Sequence, residues 1–125
     1  MKSHFLGLRT VAYKVGDLNA AKKWYTKAFG IPPYFDESFY VGYNIGGYEL
    51  GLLPEEKAVN NKAESVLTYW GVENINDSYK RMIEVGALEN EKPTNYGGEL
   101  MIASVIDPWG NVIGIIYNPY FKIEE

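Results

Sequence analysis

The hydrophobic and polar positions of this chain follow one plan twice. In each copy a run of strand-forming residues precedes an amphipathic helix, and further strand-like segments follow the helix. Val15–Leu18 opens the first helix, which ends at Phe29–Gly30, and Val72–Ile75 opens the second, which ends at Val85–Gly86. Val15 and Val72 are 57 residues apart. The pattern therefore predicts an internal repeat of one strand–helix–strands unit.

In the first copy, the apolar residues of the helix recur at helical spacing and form one stripe. These residues are Leu18, Ala21, Tyr25, Ala28 and Phe29. Asp17 or Asn19 can cap the N-terminus of the helix, and Gly30 predicts a left-handed stop. Two strands are predicted at 39–45 and 48–53, joined by a two-glycine hairpin turn.

The second copy repeats this plan. Asn74 or Asn76 can cap its helix, and Gly86 ends it. The predicted inner face of the helix consists of Ile75, Tyr79, Met82, Ile83 and Val85. Its predicted strands are 67–72, 100–106 and 112–117, with a weakly patterned edge strand at 89–96.

The length of 125 residues is typical of one domain. We predict a single α+β domain over 1–125, with unit one at about 8–54, a polar linker at 55–65 and unit two at about 66–119. In this fold the two βαβββ repeats form a curved mixed sheet cup with the helices on the outside. A concave apolar face of this kind is a common binding site for small molecules.

Composition excludes several classes of function. The chain carries 12 basic and 16 acidic residues, and it has no basic run that could follow a phosphate backbone, so we expect no nucleic acid as a partner. It has no cysteine, which excludes thiol nucleophiles, disulfides and thiolate metal sites. No apolar run approaches the roughly 20 residues of a membrane span. We therefore expect no membrane association and a cytoplasmic location.

Four short motifs occur in order within the repeat. They are Val15–Leu18, Trp24–Tyr25, Phe29–Gly30 and Asp107–Asn111, the last of which precedes a final apolar strand. With these motifs the chain resembles the vicinal oxygen chelate superfamily, which includes glyoxalases, bleomycin-resistance proteins and extradiol dioxygenases. The resemblance covers about 8–118. It implies the cup fold, and since relatives often dimerise, it also implies a homodimer.

The resemblance also implies where a metal would be held. Relatives with metal chemistry use a His or Gln on each unit's first strand and a carboxylate on each unit's last strand. The corresponding positions here are Thr10, Glu49, Leu67 and Gly114. Only Glu49 is a good ligand, because Leu and Gly have no side-chain donor and Thr is a poor neutral one. We therefore predict no metal site of the family type and no cofactor.

Strand parity places further residues on the same face as these positions. The predicted ligand-binding residues are Thr10, Ala12, Glu49, Gly51, Leu67, Tyr69, Trp109, Gly114 and Ile116. In this interpretation the small residues make room for a ligand, and Tyr69 stacks on it. Trp109 lies in a turn and is expected to touch a ligand or a partner. The alternative is a cup that is packed shut and binds nothing.

Glu49 is the main candidate for chemistry. A carboxylate between apolar neighbours that is partly desolvated would have a raised pKa and could act as a base. The simpler alternative is a partly exposed glutamate that pairs with a lysine at an edge or a subunit contact.

Two functions follow as hypotheses. The first is a metal-free small-molecule-binding protein, similar to bleomycin-resistance proteins, that sequesters a planar or cationic compound. The second is a glyoxalase-like lyase or isomerase, or a dioxygenase-like enzyme, that uses Glu49 as a base or holds a metal with a non-standard ligand set. In both, the expected partner is a small molecule.

Overall fold

The computed structural model describes residues 8–56 and 67–120. The chain divides into two compact units, Met1–Ala58 and Val59–Glu125, in agreement with the predicted repeat. Each unit contains one helix and a four-stranded mixed sheet, so the predicted α+β fold with two βαβββ repeats is confirmed. Most of the predicted linker lies outside the described residues.

The elements of unit one are β1 (Thr10–Val15), α1 (Leu18–Phe29), β2 (Phe35–Glu37), β3 (Tyr40–Ile45) and β4 (Tyr48–Pro54). The strands lie in the order β1-β4-β3-β2, with β1 and β4 parallel and the other neighbours antiparallel. Asp17 caps α1, because its carboxylate accepts a hydrogen bond from the backbone N–H of Ala20 at 3.0 Å. Gly30 ends the helix with φ of 71°. Of the two predicted caps, the structure therefore uses Asp17 and not Asn19.

Helix α1 covers one face of the sheet of unit one. Tyr25 of the helix and Leu50 and Leu52 of β4 are fully buried. The hydroxyl of Tyr43 in β3 donates to the carbonyl oxygen of Lys22 in α1 at 2.9 Å, which fixes this face as the helix side. The opposite face is called here the open face of unit one. It consists of Thr10, Ala12, Tyr40, Gly42, Asn44, Glu49 and Gly51.

The elements of unit two are β5 (Tyr69–Gly71), α2 (Ile75–Glu84), β6 (Leu88–Asn95), β7 (Met101–Ile106) and β8 (Val112–Tyr117). The strands lie in the order β5-β8-β7-β6, which repeats the topology of unit one. Asn74 caps α2 by accepting from the N–H of Asp77 at 3.1 Å. Because Asn74 makes this bond, the predicted alternative Asn76 is not the cap. The helix ends at a cap on Val85, which precedes the left-handed Gly86.

Helix α2 likewise covers one face of the sheet of unit two. The buried side chains on this side are Ile75, Tyr79, Met82, Ala103, Val105, Ile113 and Ile115. The opposite face is the open face of unit two and consists of Tyr69, Ile102, Ser104, Gly114 and Ile116. None of the described helices is long and apolar enough to cross a membrane.

The structure differs from the sequence pattern mainly at short strands. Strand β2 has only three residues, all exposed, so no alternation of apolar and polar positions marks it. Strand β5 spans Tyr69–Gly71 and is shorter than the predicted 67–72. The predicted edge strand at 89–96 is present as β6, and its pairing with β7 shifts twice between Glu89 and Thr94.

Candidate functional site

The carboxylate of Glu49 is the centre of a polar cluster on the open face of unit one. Thr10 lies opposite Glu49 in the parallel pair of β1 and β4, and its hydroxyl donates to Oε1 at 2.8 Å. The hydroxyl of Tyr34, which lies just before β2, donates to Oε2. The hydroxyl of Tyr40 favours the charged form of this carboxylate to a smaller extent. Two hydroxyl groups from two parts of unit one therefore hold one carboxylate.

Two glycines allow the tyrosine rings to reach Glu49. A Cβ atom at Gly42 would lie 2.9 Å from Oε2 of Glu49 and 3.1 Å from Cε1 of Tyr34. A Cβ atom at Gly51 would lie 2.7 Å from Cε1 of Tyr40. Because these distances are shorter than ordinary van der Waals contacts, a side chain at Gly42 would crowd the carboxylate of Glu49, and one at Gly51 would displace the ring of Tyr40. The space that Gly51 leaves is thus occupied by Tyr40, whereas the sequence analysis assigned it to a ligand.

The hydroxyl groups favour the charged form of Glu49. The hydrogen bond from Tyr34, followed by that from Thr10, holds the pKa of Glu49 below its usual value. Partial desolvation acts in the opposite direction but does not prevail. The expected raised pKa of Glu49 is therefore wrong, because its hydrogen bonds favour the charged form. Burial, with the neighbouring Glu49 carboxylate, raises the pKa of Tyr40 to about 12. At neutral pH the cluster is one anion with neutral donors around it.

A cavity of about 240 Å³ opens beside Glu49 within unit one. Its walls are Arg9, Thr10, Tyr34, Asn44, Gly47, Tyr48 and Glu49. The side-chain oxygen of Asn44 accepts from the N–H of Gly47 at 2.8 Å, which leaves the NH₂ group of this amide without a partner among the described residues. Pockets for drug-sized ligands span roughly 300–1,000 Å³, so this cavity fits a smaller molecule.

The predicted site residues of unit one lie in two places. Thr10 and Glu49 line the cavity. Ala12 and Gly51 lie opposite each other in the β1–β4 pair and are not among the cavity walls. Their role in ligand binding stays a prediction.

The predicted site residues of unit two belong to a separate sheet. Tyr69 lies opposite Gly114 in the parallel pair of β5 and β8, and a Cβ atom at Gly114 would lie 2.6 Å from the ring of Tyr69. Ile116 is half-buried and lies opposite Gly71. The remaining two residues are Leu67, which precedes β5 and is 55% exposed, and Trp109, which is half-buried in the turn before β8.

The register of the strands changes one correspondence between the units. If the caps Asp17 and Asn74 are aligned, Tyr69 corresponds to Ala12. Ala12 lies opposite Gly51, and Tyr69 lies opposite Gly114. Gly114 therefore corresponds to Gly51, and the counterpart of Glu49 is Val112, two residues earlier. The side chain of valine has no donor atom. In either register, therefore, unit two has no side-chain metal ligand at the position that corresponds to Glu49.

The donor set does not fit the metal site that the resemblance implies. The candidate positions of unit two are Leu67, Gly114 and, in the observed register, Val112, none of which has a side-chain donor atom. In unit one, the carboxylate of Glu49 is already held by hydroxyl groups. Within residues 8–56 and 67–120 there is no group of three or more His, Cys, Asp or Glu residues placed to hold a metal ion.

Unit two contains a second tyrosine–carboxylate pair. The hydroxyl of Tyr96 donates to Oε2 of Glu91, which lies opposite Ser104 in the β6–β7 pair. None of these residues borders the cavity of unit one. The pair is therefore a natural control for the Tyr34–Glu49 pair.

Several side chains of the cluster and the cavity are not marked by the sequence pattern. Tyr34 and Tyr40 look like core or interface aromatics in the sequence, and nothing there singles out Arg9 or Asn44. A usable signal existed in the two-glycine turn between β3 and β4. That turn pairs Asn44 with Glu49, and counting back by two along β3 gives Gly42 and Tyr40 on the same face.

Comparisons with known proteins show the family and agree with the observed fold. The model of the glyoxalase/bleomycin resistance protein/dioxygenase superfamily matches residues 7–115. The chain belongs to this superfamily. A comparison with curated proteins gave no match.

Solved structures show the same fold within the superfamily. A glyoxalase-related enzyme from Fulvimarina pelagi has a TM-score of 0.79 and 20% identity, covering 96% of this chain and 94% of its own. A glyoxalase/bleomycin resistance protein from Albidiferax ferrireducens T118 has a TM-score of 0.73 and 19% identity, covering 89% and 98%. A glyoxalase/bleomycin resistance protein/dioxygenase family enzyme from Burkholderia phytofirmans PsJN has a TM-score of 0.73 and 18% identity, covering 86% and 95%. At these identities the likeness shows the fold alone.

Proposed function

We propose that this superfamily member is a metal-free binding protein for a small molecule that carries a cationic group and a planar apolar part. The observation that carries the proposal is the ionised carboxylate of Glu49 in the wall of the 240 Å³ cavity. The hydroxyl groups of Thr10 and Tyr34 fix this carboxylate in place before any ligand arrives. A preformed charge costs little additional ordering on binding.

The chemistry of the cavity favours a cation. A carboxylate offers about four lone-pair positions, so Glu49 can accept from a ligand N–H in addition to its hydroxyl partners Thr10 and Tyr34. Tyr34 and Tyr48 also line the cavity, and aromatic rings attract both cations and flat apolar groups. A charge-assisted hydrogen bond beside an aromatic wall thus supports recognition of an organic ammonium ion.

The enzyme hypotheses have less support. A carboxylate whose pKa is lowered accepts a proton poorly at neutral pH, which disfavours Glu49 as a general base. The residues at the family's metal positions do not fit a metal ion, so the proposed function involves no metal. Binding without chemistry is the function that the cluster supports best.

Calorimetric titration with phenethylammonium tests the proposal. We expect saturable binding to the wild type and a dissociation constant at least about tenfold higher for Glu49→Gln, because a hydrogen bond to a charged group contributes about 1.5–3 kcal/mol. The variant Glu91→Gln is the matched control, since it removes the other tyrosine-bound carboxylate, and it should bind like the wild type. Equal affinity of wild type and Glu49→Gln, or equal affinity for the uncharged analogue 2-phenylethanol, would contradict the proposal.

The homodimer is part of the same proposal. Phe35 and Phe39 are exposed near the edge strand β2, and they contact each other with ring centroids 6.1 Å apart. Exposed aromatic clusters at a sheet edge are typical of interaction surfaces. Light scattering should give twice the monomer mass for the wild type and a lower mass for Phe39→Glu. A monomeric wild type would rule the homodimer out.

A further inference from the structure

We propose that the ligand of the Glu49 cavity is a compact zwitterion, whose anionic group is recognised by the guanidinium of Arg9 while its cation meets Glu49. The inference rests on the proposed function, because it concerns the same cavity. It goes further by adding a second charge to the ligand and a second recognition residue to the protein.

Arg9 and Glu49 are placed together by the backbone. The carbonyl oxygen of Arg9 accepts a hydrogen bond from the N–H of Glu49 at 2.8 Å, so the start of β1 and the start of β4 are joined at this point. Both residues line the cavity. A single cavity of about 240 Å³ is thus bordered by one basic and one acidic residue. A ligand that bears only a cation would satisfy one of these charges and oppose the other.

The hydrogen-bonding capacity of the wall fits an anion as well. A guanidinium carries five N–H donors in a planar fork, so Arg9 can keep a protein partner and still bind a carboxylate of the ligand. Asn44 adds to this, because its oxygen is engaged by the N–H of Gly47 and its NH₂ group is left as a donor. Asn44 lies opposite Glu49 in the β3–β4 pair. The amide donor of Asn44 and the carboxylate acceptor of Glu49 therefore lie at the same end of the sheet.

The size of the cavity limits the class of zwitterion. The opposite charges must lie within one small molecule, and the tyrosine rings of the wall favour a flat apolar substituent. Aromatic α-amino acids have this arrangement, with an ammonium and a carboxylate on one carbon. They are therefore the probes of choice.

Three probes of similar size separate the two charges. Phenylalanine carries both charges, phenylalaninamide carries only the cation, and 3-phenylpropanoate carries only the anion. Titrations at about pH 6 keep the amines protonated, since α-amino groups have pKa values of about 7.7–8.0. We expect the wild type to bind phenylalanine at least about tenfold more tightly than phenylalaninamide, and to bind 3-phenylpropanoate more weakly than either.

Variants of the two arginines test which of them causes the preference for phenylalanine over phenylalaninamide. In Arg9→Gln the preference for phenylalanine over phenylalaninamide should fall to about one, because the amide and the carboxylate then meet the same neutral wall. Arg9→Lys keeps the charge without the planar fork and should retain part of the preference. Arg81→Gln removes the other arginine, which lies on α2 of unit two, and should leave the preference unchanged.

The outcomes distinguish this inference from the proposed function. If the wild type binds phenylalaninamide as tightly as phenylalanine, or if Arg9→Gln keeps the preference, the zwitterion inference is overturned. The binding function still stands in that case, provided that affinity depends on Glu49. If none of the probes binds and phenethylammonium does not bind either, both proposals fail.

Discussion

The two units of this protein share their order of elements but differ on their open faces. In each unit a tyrosine ring lies over a glycine at the corresponding position, Gly51 or Gly114. In unit one the ring belongs to Tyr40 of β3, and its hydroxyl reaches the carboxylate of Glu49. In unit two the ring belongs to Tyr69 of β5 and lies over Gly114, which is paired with Tyr69 in the neighbouring strand β8. The same space is therefore used for a charged cluster in one unit and for ring packing in the other.

The helix sides of the units are constrained in a way that the open faces are not. In both units the strands turn buried apolar residues toward the helix, because the stripe of the helix must be covered by apolar side chains. The open faces carry no such requirement within their own unit. A duplicated fold can thus keep its core and still concentrate its polar chemistry in one copy.

The largest difference between the units should appear when a methyl group is added to each covered glycine. Gly114→Ala should lower the free energy of unfolding by about 1–3 kcal/mol, because the new Cβ would collide with the carbonyl oxygen of Thr68 and with the ring of Tyr69. Gly51→Ala should cost less, since only the side chain of Tyr40 must move. Denaturant unfolding measures both changes.

Gly71→Ala is the control for these glycine variants. No atom lies within 4 Å of the Cβ position at Gly71, and the backbone there is not left-handed. The substitution should be neutral or slightly stabilising, by at most about 1 kcal/mol. A larger loss of stability in Gly51→Ala than in Gly114→Ala would contradict the predicted difference between the units.

The helix caps should behave alike in the two units. Asp17→Ala and Asn74→Ala should each lower the free energy of unfolding by about 1 kcal/mol, because each removes an acceptor for a backbone N–H at the start of a helix. Asn19→Ala and Asn76→Ala should change stability by less than about 0.5 kcal/mol. Unfolding curves of the four variants under one set of conditions would check this, and a loss at Asn19 equal to that at Asp17 would speak against the observed cap.

Two buried tyrosines, Tyr43 in β3 and Tyr79 in α2, should differ in what their hydroxyl groups contribute to stability. The hydroxyl of Tyr43 is bonded to the carbonyl of Lys22 and to Thr26, so Tyr43→Phe should cost about 1 kcal/mol. The hydroxyl of Tyr79 is buried and has no hydrogen-bond partner among the described residues. Tyr79→Phe should therefore be neutral or stabilising. Thermal unfolding of the two variants measures this difference. A clear loss of stability in Tyr79→Phe would contradict the prediction.

The smallest effect on stability concerns the titration of Glu49. Tyr34→Phe should raise the pKa of Glu49 toward its ordinary value of 4.5, because the leading hydrogen bond to the charged form is lost. The folded pKa lies below the unfolded one, so the stabilisation by this group is present above the unfolded pKa and is lost as the pH falls through the folded pKa. Its size is small, since the pair is largely exposed.

Carboxyl NMR titration measures this pKa directly. Thr10→Val should shift it less than Tyr34→Phe, because the bond from Thr10 is the second contribution. Tyr96→Phe changes the corresponding pair in unit two and should leave the titration of Glu49 unchanged. A pKa of Glu49 that stays constant in Tyr34→Phe would show that the hydrogen bond from Tyr34 does not lower this pKa.

The sequence predicted the long elements well and the short ones poorly. Helix α1 lies where its apolar stripe, its cap and Gly30 place it, because these signals are local and agree with each other. Strand β8 spans the predicted 112–117, since its run of apolar residues is continuous. Strand β2 was not predicted, because three exposed residues at an edge carry no pattern and depend on pairing with β3.

By itself, the sequence determined the duplication and the fold class, because repeats, helix caps and helix stops depend on residues close together in the chain. The resemblance to the superfamily then singled out Glu49 as a candidate. Only the tertiary structure decided what surrounds Glu49. Tyr34, Tyr40 and Thr10 meet it through strand pairing across many residues, and hydrogen bonds from them lower the pKa that the sequence alone suggested was raised. The charge of a side chain depends on which groups the fold brings to it, and that is set by register and ring packing rather than by neighbours in the chain.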